Sequence, residues 1–182
     1  MSLQLVKPDK KYLPSVQEAI EEYKSDASKY EISAVEKMIT AEENGFATYF
    51  DDVEKNSQGV GLKPGYVPNT TYWLVDDNNY IGTFDLRHHL TPNLEEIGGH
   101  IAYQIRPSAR GKGYASRGLK LCLEKAKDIG IKQVLVTCNA ENSASYGTMS
   151  KVMLEVGGYE AETIKKDDLI ERRVWINTQK TL

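Results

Sequence analysis

Ile105-Arg106-Pro107-Ser108-Ala109-Arg110-Gly111-Lys112-Gly113-Tyr114-Ala115 is the stretch on which the reading of this chain turns. An alternating apolar segment runs into it and an amphipathic helical pattern runs out of it. Pro107 has no N–H to give to a sheet ladder, so the preceding strand is expected to stop there. Gly111 and Gly113 flank Lys112 where the helix begins, and glycine lets backbone N–H groups converge without a Cβ in the way. Those N–H groups are the unpaired donors of a helix N-terminus, at the positive end of its dipole. Strand, glycine turn and helix together suit a phosphate or pyrophosphate. The same two glycines also read as a tight strand-to-helix turn with nothing bound.

Outward from this stretch, the helix carries Ala115, Leu119, Cys122, Ala126 and Ile129 on one stripe and is expected to end at Gly130. Gln133 to Cys138 reads as an apolar strand. The run from strand through helix to strand is a βαβ unit with parallel strands and a right-handed crossover. Asn142 or Ser143 is expected to cap a further helix carrying Tyr146, Met149, Met153 and Val156, and Gly157-Gly158 to stop it. Tyr159–Ile164 and Leu169–Ile176 read as a closing hairpin turned at residues 165–168.

Upstream, Leu3–Val6 is a short strand ended by Pro8, followed by a helix through Leu13, Val16, Ile20 and Tyr23. Ser33 and Glu36 form a capping-box pair for a second helix, which Asn44-Gly45 interrupts. Phe46, Tyr49, Phe50 and Val53 resume an apolar face and are read as core. Residues 56–71, rich in Gly, Pro and Asn, form a long irregular segment. Such loops are usually functional or disordered. With the apolar Tyr66 and Val67 side by side in it, it reads as a lid beside an acceptor site or as a surface excursion. Tyr72–Val75 and Tyr80–Leu90 form a hairpin, with Thr83, Asp85, Arg87 and His89 on one face of its second strand. Leu94–Ile105 reads as a third antiparallel strand, with Glu96, His100 and Gln104 on one side. Gly98-Gly99 within it marks a bulge or a close backbone approach, and a bulge exchanges Glu95 for Glu96.

The chain has 182 residues, 40% hydrophobic and 27% charged, with a net charge of −3. That suits one globular domain spanning residues 1–182, with no charge argument for nucleic acid. No apolar run approaches the ~20 residues of a membrane span, and Met1–Gln4 shows no signal-peptide pattern. Cys122 and Cys138 read as buried free thiols, and the expected location is cytoplasmic. The phosphate-loop pattern G-x-x-x-x-G-K-[ST] is absent, and the dinucleotide pattern G-x-G-x-x-G fails at Ser116. His88 and His89 point to opposite faces of a strand, so no metal is expected.

Arg110-Gly111-Lys112-Gly113-Tyr114-Ala115, preceded by Ile105-Arg106-Pro107, resembles the acetyl-CoA pyrophosphate loop of the GNAT family of N-acetyltransferases. The run from Gly98 to Ala115 is similar to a bacterial branch of predicted acetyltransferases. The family's order of elements can be laid over almost the whole chain. The resemblance implies the α/β acyl-CoA N-acyltransferase fold: a mixed, mostly antiparallel sheet with a central βαβ unit, splayed open between its strands. It places the cofactor core at about 95–160. It implies acetyl-CoA as cofactor, pantetheine along the Tyr103–Ile105 strand edge, and the pyrophosphate on Arg110 to Ala115. Asn142 matches the family's second cofactor element, and Arg110 and Lys112 can supply charge. Many members carry a tyrosine as acid to the leaving thiolate, where this chain has Met149 or, counted from Gly158-Tyr159, Met153. Tyr146 is the only tyrosine on that helix and therefore the candidate acid. For a base, Glu96 comes first, with His100 second and Glu95 in its place if a bulge intervenes; Tyr66 is the candidate lid contact. The expected activity is acetyl transfer to a primary amine of a small molecule or peptide by direct attack in a ternary complex. A catalytically silent acyl-CoA-binding or interaction domain is the competing reading. A second copy of the chain is the one protein partner considered.

Overall fold

The computed structural model of the chain describes residues 3–26, 33–166 and 168–178. Strand β1 (Leu3–Val6) is followed by helices α1 (Leu13–Ser25), α2 (Ser33–Asn44) and α3 (Phe46–Gln58). Strands β2 (Asn69–Asp76) and β3 (Asn79–Arg87), the short helix α4 (Pro92–Glu96) and strand β4 (Ile101–Ile105) come next. Helix α5 (Tyr114–Asp128), strand β5 (Gln133–Asn139), helix α6 (Ser143–Val156), and strands β6 (Gly158–Lys166) and β7 (Leu169–Asn177) complete the order.

The strands form two antiparallel sheets, β1-β2-β3-β4 and β5-β7-β6. Helices α1–α3 cover one face of the first sheet. Val16, Ile20, Tyr23, Val35, Met38 and Tyr49 bury there against Trp73, Val75 and Tyr80. The other face packs against α5 and α6, where Leu74, Phe84 and Leu86 meet Leu119, Cys122, Met149 and Val152. The same helices cover β5 and β7 through Val134, Val136, Val174 and Ile176. Strand β3 is thus buried on both faces, Tyr49 is core with Phe46 and Phe50 half-buried against the same cluster, and both cysteines are buried free thiols.

The splay lies between β4 and β5, and its closed end is pinned at His100. The His100 backbone N–H donates to the Leu135 carbonyl at 2.7 Å. The Leu135 N–H in turn donates to His100 Nδ1 at 2.9 Å. The imidazole thus takes a donor that a continuing neighbour strand would use, and no ladder joins β4 to β5 beyond it.

Several expectations need correction. Leu94–Ile105 is not one strand: Thr91 Oγ1 caps α4 by accepting the Leu94 N–H at 3.3 Å, and Pro92 opens the helix. Gly98 and Gly99, at φ +109° and +58°, then stop α4, with the Gly99 N–H returning to the Leu94 carbonyl at 2.9 Å. The pair is a helix stop and not a bulge. The close backbone approach is real, because a Cβ on Gly99 would sit 2.4 Å from the Leu135 carbonyl oxygen. Strand β3 ends at Arg87, short of Leu90. The irregular segment is shorter than 56–71, since α3 runs to Gln58 and β2 starts at Asn69. Ser33 is the first residue inside α2, one place beyond a capping position, and Ile32 lies outside the described residues. Ile129 follows the end of α5 and is exposed. Among the described residues, no helix is long and apolar enough to cross a membrane.

Candidate active site

A cavity of about 1250 Å³ opens in the splay, lined by β4, the loop after it, the start of α5, the end of β5 and the start of α6. Tyr103, Ile105, Arg110, Gly111, Gly113, Tyr114, Ala115 and Asn142 all line it. Lys112 does not; its Nζ donates to the Ser108 carbonyl at 2.8 Å.

At the loop end, Gly111 and Gly113 hold φ +73° and +75°, and a Cβ on either would point into open space. Helix α5 begins at Gly113 with no side-chain cap, so the N–H groups of its first turn have no side-chain acceptor. Uncapped donors, two glycines leaving their Cβ positions empty and the positive end of a long helix fit a diphosphate. Helix α1 braces this loop from outside. Glu22 accepts from Arg106 Nε (3.1 Å) and Nη2 (2.5 Å), and from the Ser108 N–H and hydroxyl (both 2.9 Å). Burial pushes the Glu22 carboxyl up, but these hydrogen bonds outweigh it and hold it below the usual carboxylate range. Arg110 Nη1 pairs with Asp26 at 2.7 Å and Nε donates to the Ile105 carbonyl. The Arg110 charge is therefore already balanced by a carboxylate, whereas the Lys112 ammonium meets only a neutral carbonyl.

In the middle of the cavity, Asn142 caps α6 by accepting the Ser145 N–H at 3.1 Å. The Tyr103 hydroxyl lies 3.0 Å from Ser145 Oγ, and burial pushes its pKa up to about 12, so it keeps its proton. Met149 is wholly buried in the core. Tyr146 does not line the cavity: its hydroxyl donates to Glu160 at 2.5 Å and its ring faces Arg172 at 4.2 Å. The candidate acid is therefore aimed at the β6–β7 hairpin.

The three candidate bases also stand away from the cavity wall. Because residues 92–96 are helical, strand parity does not place Glu96 beside His100. Glu96 instead pairs with Lys166 at 3.2 Å near the hairpin tip. Glu95 is exposed on the first turn of α4. His100 is buried, its Nδ1 occupied by the Leu135 N–H and its ring 6.1 Å from that of Trp175. Burial, with Arg87 and His89 nearby, lowers its pKa to about 4, so it is a neutral packing residue at pH 7. Tyr66 is 69% exposed and outside the lining, while Val67 beside it is buried.

The far end of the cavity holds residues that the sequence did not mark as site candidates. Arg87, Gly98, Thr137, Asp168, Leu169, Ile170 and Glu171 line it. Arg87 Nη1 donates to the carbonyls of Gly98 and Gly99 at 2.8 and 3.0 Å. The Gly98 N–H donates to Thr137 Oγ1 at 2.9 Å. Among the described residues, no three His, Cys, Asp or Glu side chains gather as a metal site.

The chain matches the family model of the acetyltransferase (GNAT) domain over residues 14–154. It is 29% identical over 94 residues to an uncharacterized N-acetyltransferase, YnaD, of Bacillus subtilis (strain 168). That match covers 51% of this chain and spans about half (53%) of the relative's length. Among solved structures, the microcin C7 self-immunity acetyltransferase MccE, in complex with acetyl-CoA and AMP, aligns at a TM-score of 0.64 and 13% identity. That alignment covers 96% of this chain and 92% of the other. An N-acetyltransferase from Staphylococcus aureus Mu50 aligns at 0.60 and 18%, covering 98% and 100%. The ribosomal L7/L12 α-N-protein acetyltransferase RimL aligns at 0.57 and 13%, covering 98% and 94%.

Proposed function

This chain belongs to the GNAT acetyltransferase family, and we propose from that footing that it moves an acetyl group from acetyl-CoA to a primary amine by direct attack in a ternary complex. The observation that carries the reading is the glycine cradle. Gly111 and Gly113 present uncapped helix N–H donors to one end of a cavity that continues between β4 and β5. Acetyl-CoA, when bound, supplies an activated thioester. The protein's own share is to hold, orient and manage a proton. The α5 N-terminus and the glycine turn bind the diphosphate, with Glu22 and Asp26 of α1 fixing the loop. The exposed edge of β4 from Tyr103 to Ile105 offers backbone groups to an extended pantetheine. Asn142 fixes the start of α6 on the opposite wall. No phenol stands at Met149, and transfer does not require one, because a thiol pKa near ~8.5 makes thiolate a tolerable leaving group at neutral pH. The amine enters from the far end, past Arg87, Thr137 and Glu171.

The test is acetyl-CoA binding followed by amine-dependent thiol release. Saturation at ~100 times Kd should stabilise the protein by about 2.7 kcal/mol, a rise in Tm of roughly 5–10 °C. A screen of lysine-type, polyamine and α-amino peptide acceptors should then release free thiol with at least one class. A melting curve unmoved by acetyl-CoA overturns the reading.

A further inference from the structure

We propose that Glu171 is the residue that accepts the proton from the acceptor amine; this rests on the transfer reading above. Glu171 lies near the start of β7, opposite Asn139 of β5. Thr137 opposes Arg173, so Thr137 and Glu171 are diagonal neighbours on one face of the β5–β7 ladder. Leu135 and Trp175 share that face, while Val134, Val136, Val174 and Ile176 point to the opposite one and bury against α5 and α6. Glu171 is only 8% exposed, yet it lines the cavity. A carboxylate is seldom buried so far without a cation beside it. No ion pair to Glu171 is found among the described residues, and the Thr137 hydroxyl beside it is the polar group that steadies its charge.

That hydroxyl is tied to the helix-stop loop. Thr137 Oγ1 accepts the Gly98 N–H at 2.9 Å, and Thr137 lies on the strand face that carries Glu171. Thr137 thus ties the helix-stop loop to the strand face that holds the carboxylate in the wall. A carboxylate so held and short of water is built to take a proton from a neutral ligand group. Burial raises its pKa above the ordinary carboxylate range, with Thr137 opposing, which brings its basicity nearer to working pH. The carboxylates first expected in this role face elsewhere: Glu96 pairs with Lys166 and Glu95 faces solvent. Asp168 also lines the cavity, at the exposed hairpin turn.

The step balances without a further reagent. The amine nitrogen bonds to the carbonyl carbon and the carbon–sulfur bond breaks, with the sulfur keeping the electron pair. The proton lost by nitrogen moves to a Glu171 oxygen and leaves through water to the thiolate. A lysine-like amine, pKa near ~10.4, is scarce in its neutral form at pH 7, so its reaction depends on such a base more than that of an α-amine near ~7.8.

The test uses whichever lysine-type or polyamine acceptor the wild-type protein turns over. Glu171→Gln should lower kcat/KM by at least about 100-fold at pH 7 while acetyl-CoA still raises Tm. The deficit should shrink towards pH 9–10, where the amine loses its proton unaided. Thr137→Val removes the hydroxyl that opposes the rise in the carboxyl pKa, so the acid limb of the kcat/KM profile should move to higher pH. Glu171→Gln activity within threefold of wild type, or a loss constant across pH, overturns the proposal. If Glu171→Gln gives no melting transition, Thr137→Val decides: a shifted acid limb supports Glu171, and an unshifted one removes it. A wild-type protein with no acetyl-CoA shift instead fails the transfer reading, a result distinct from wild-type turnover that survives Glu171→Gln.

Discussion

At the loop end of the cavity, charged side chains are tied down by partners from α1: Arg106 by Glu22, and Arg110 by Asp26. At the far end, a short helix, a two-glycine stop and a hairpin turn meet across the cavity mouth. The one buried carboxylate in the wall there, Glu171, has no ion pair among the described residues and a hydroxyl, that of Thr137, beside it. The first end is suited to hold a ligand of fixed shape and charge. The second is suited to chemistry, because a group whose charge is not cancelled by an ion pair can exchange a proton. His100 stands between them as the clasp where the two sheets still touch.

The largest effect is expected where the glycine cradle is filled. Gly113→Val puts a branched side chain at φ +75° and into the open space facing the cavity, and should abolish the acetyl-CoA shift in Tm. Gly130→Val is the control. It imposes comparable backbone strain at φ +85° at the other end of α5, beyond the cavity. It should lower Tm while the acetyl-CoA shift persists. If both variants keep the shift, the cradle is not the diphosphate seat and the contrast between the two ends collapses.

The clasp comes next, through pH. His100 has a folded pKa lowered to about 4 against an unfolded value near ~6.5. Its neutral form is thus favoured by the fold. The stability it contributes is present above pH ~6.5 and is lost progressively as pH falls towards 4. The whole window is worth about 3 kcal/mol. Unfolding free energy measured between pH 7 and 5 should fall in wild type and fall less in His100→Gln, which starts from a lower stability. A parallel decline in both proteins would mean that His100 is already protonated and the Leu135 hydrogen bond absent.

The brace is weaker. Glu22→Gln leaves Arg106 with only the exposed Glu18, at 3.7 Å, as a charged partner, and should cost about 2 kcal/mol, a fall in Tm of roughly 4–8 °C. Acetyl-CoA affinity should fall by about tenfold, with kcat at saturating cofactor little changed. Because the Glu22 pKa is lowered in the fold, its advantage over the variant holds above the unfolded carboxylate pKa near ~4.3. That advantage should disappear as pH falls through the folded value. An unchanged Kd would show that the loop holds its shape without α1.

The loop end was largely legible in sequence, because its signals are local. Pro107 stops a strand, Gly111 and Gly113 sit at positive φ, Asn142 caps α6 and Gly130 ends α5. The far end was not, because its parts come from distant segments and imitate something else. Glu96 and His100 fit a strand's alternation until Thr91-Pro92 is read as a cap followed by a helix-opening proline. Glu171 shares a strand face with Arg173, which reads as a solvated face beside the apolar Val174 and Ile176. Only the packing of β7 between β5 and β6, with the mouth of the splay above it, makes that face a cavity wall. Tyr146 shows the converse: helical spacing put it on the right helix, but not on the side that faces the cavity.

The smallest effect concerns residues 59–68, the irregular segment between α3 and β2. Its Pro68 carbonyl accepts the His88 N–H at 2.9 Å, which fastens one end of the segment just past Arg87, a residue of the cavity wall. Val67 anchors the segment by burial, and Tyr66 projects into solvent. A ring with so little packed surface contributes little to the fold, so Tyr66→Ala should change stability by less than about 0.5 kcal/mol. If the segment closes over an arriving amine, the ring gains contacts only with acceptor present. KM for the amine should then rise by about two- to fivefold, while kcat and the acetyl-CoA shift stay as in wild type. A KM that rises only for larger acceptors would sharpen the contrast further, since it would place the ring at the rim and not over the reacting nitrogen. An unchanged KM for every acceptor takes the segment off the reaction path, and leaves α4, the Gly98-Gly99 stop and the β6–β7 turn as the whole of the acceptor end.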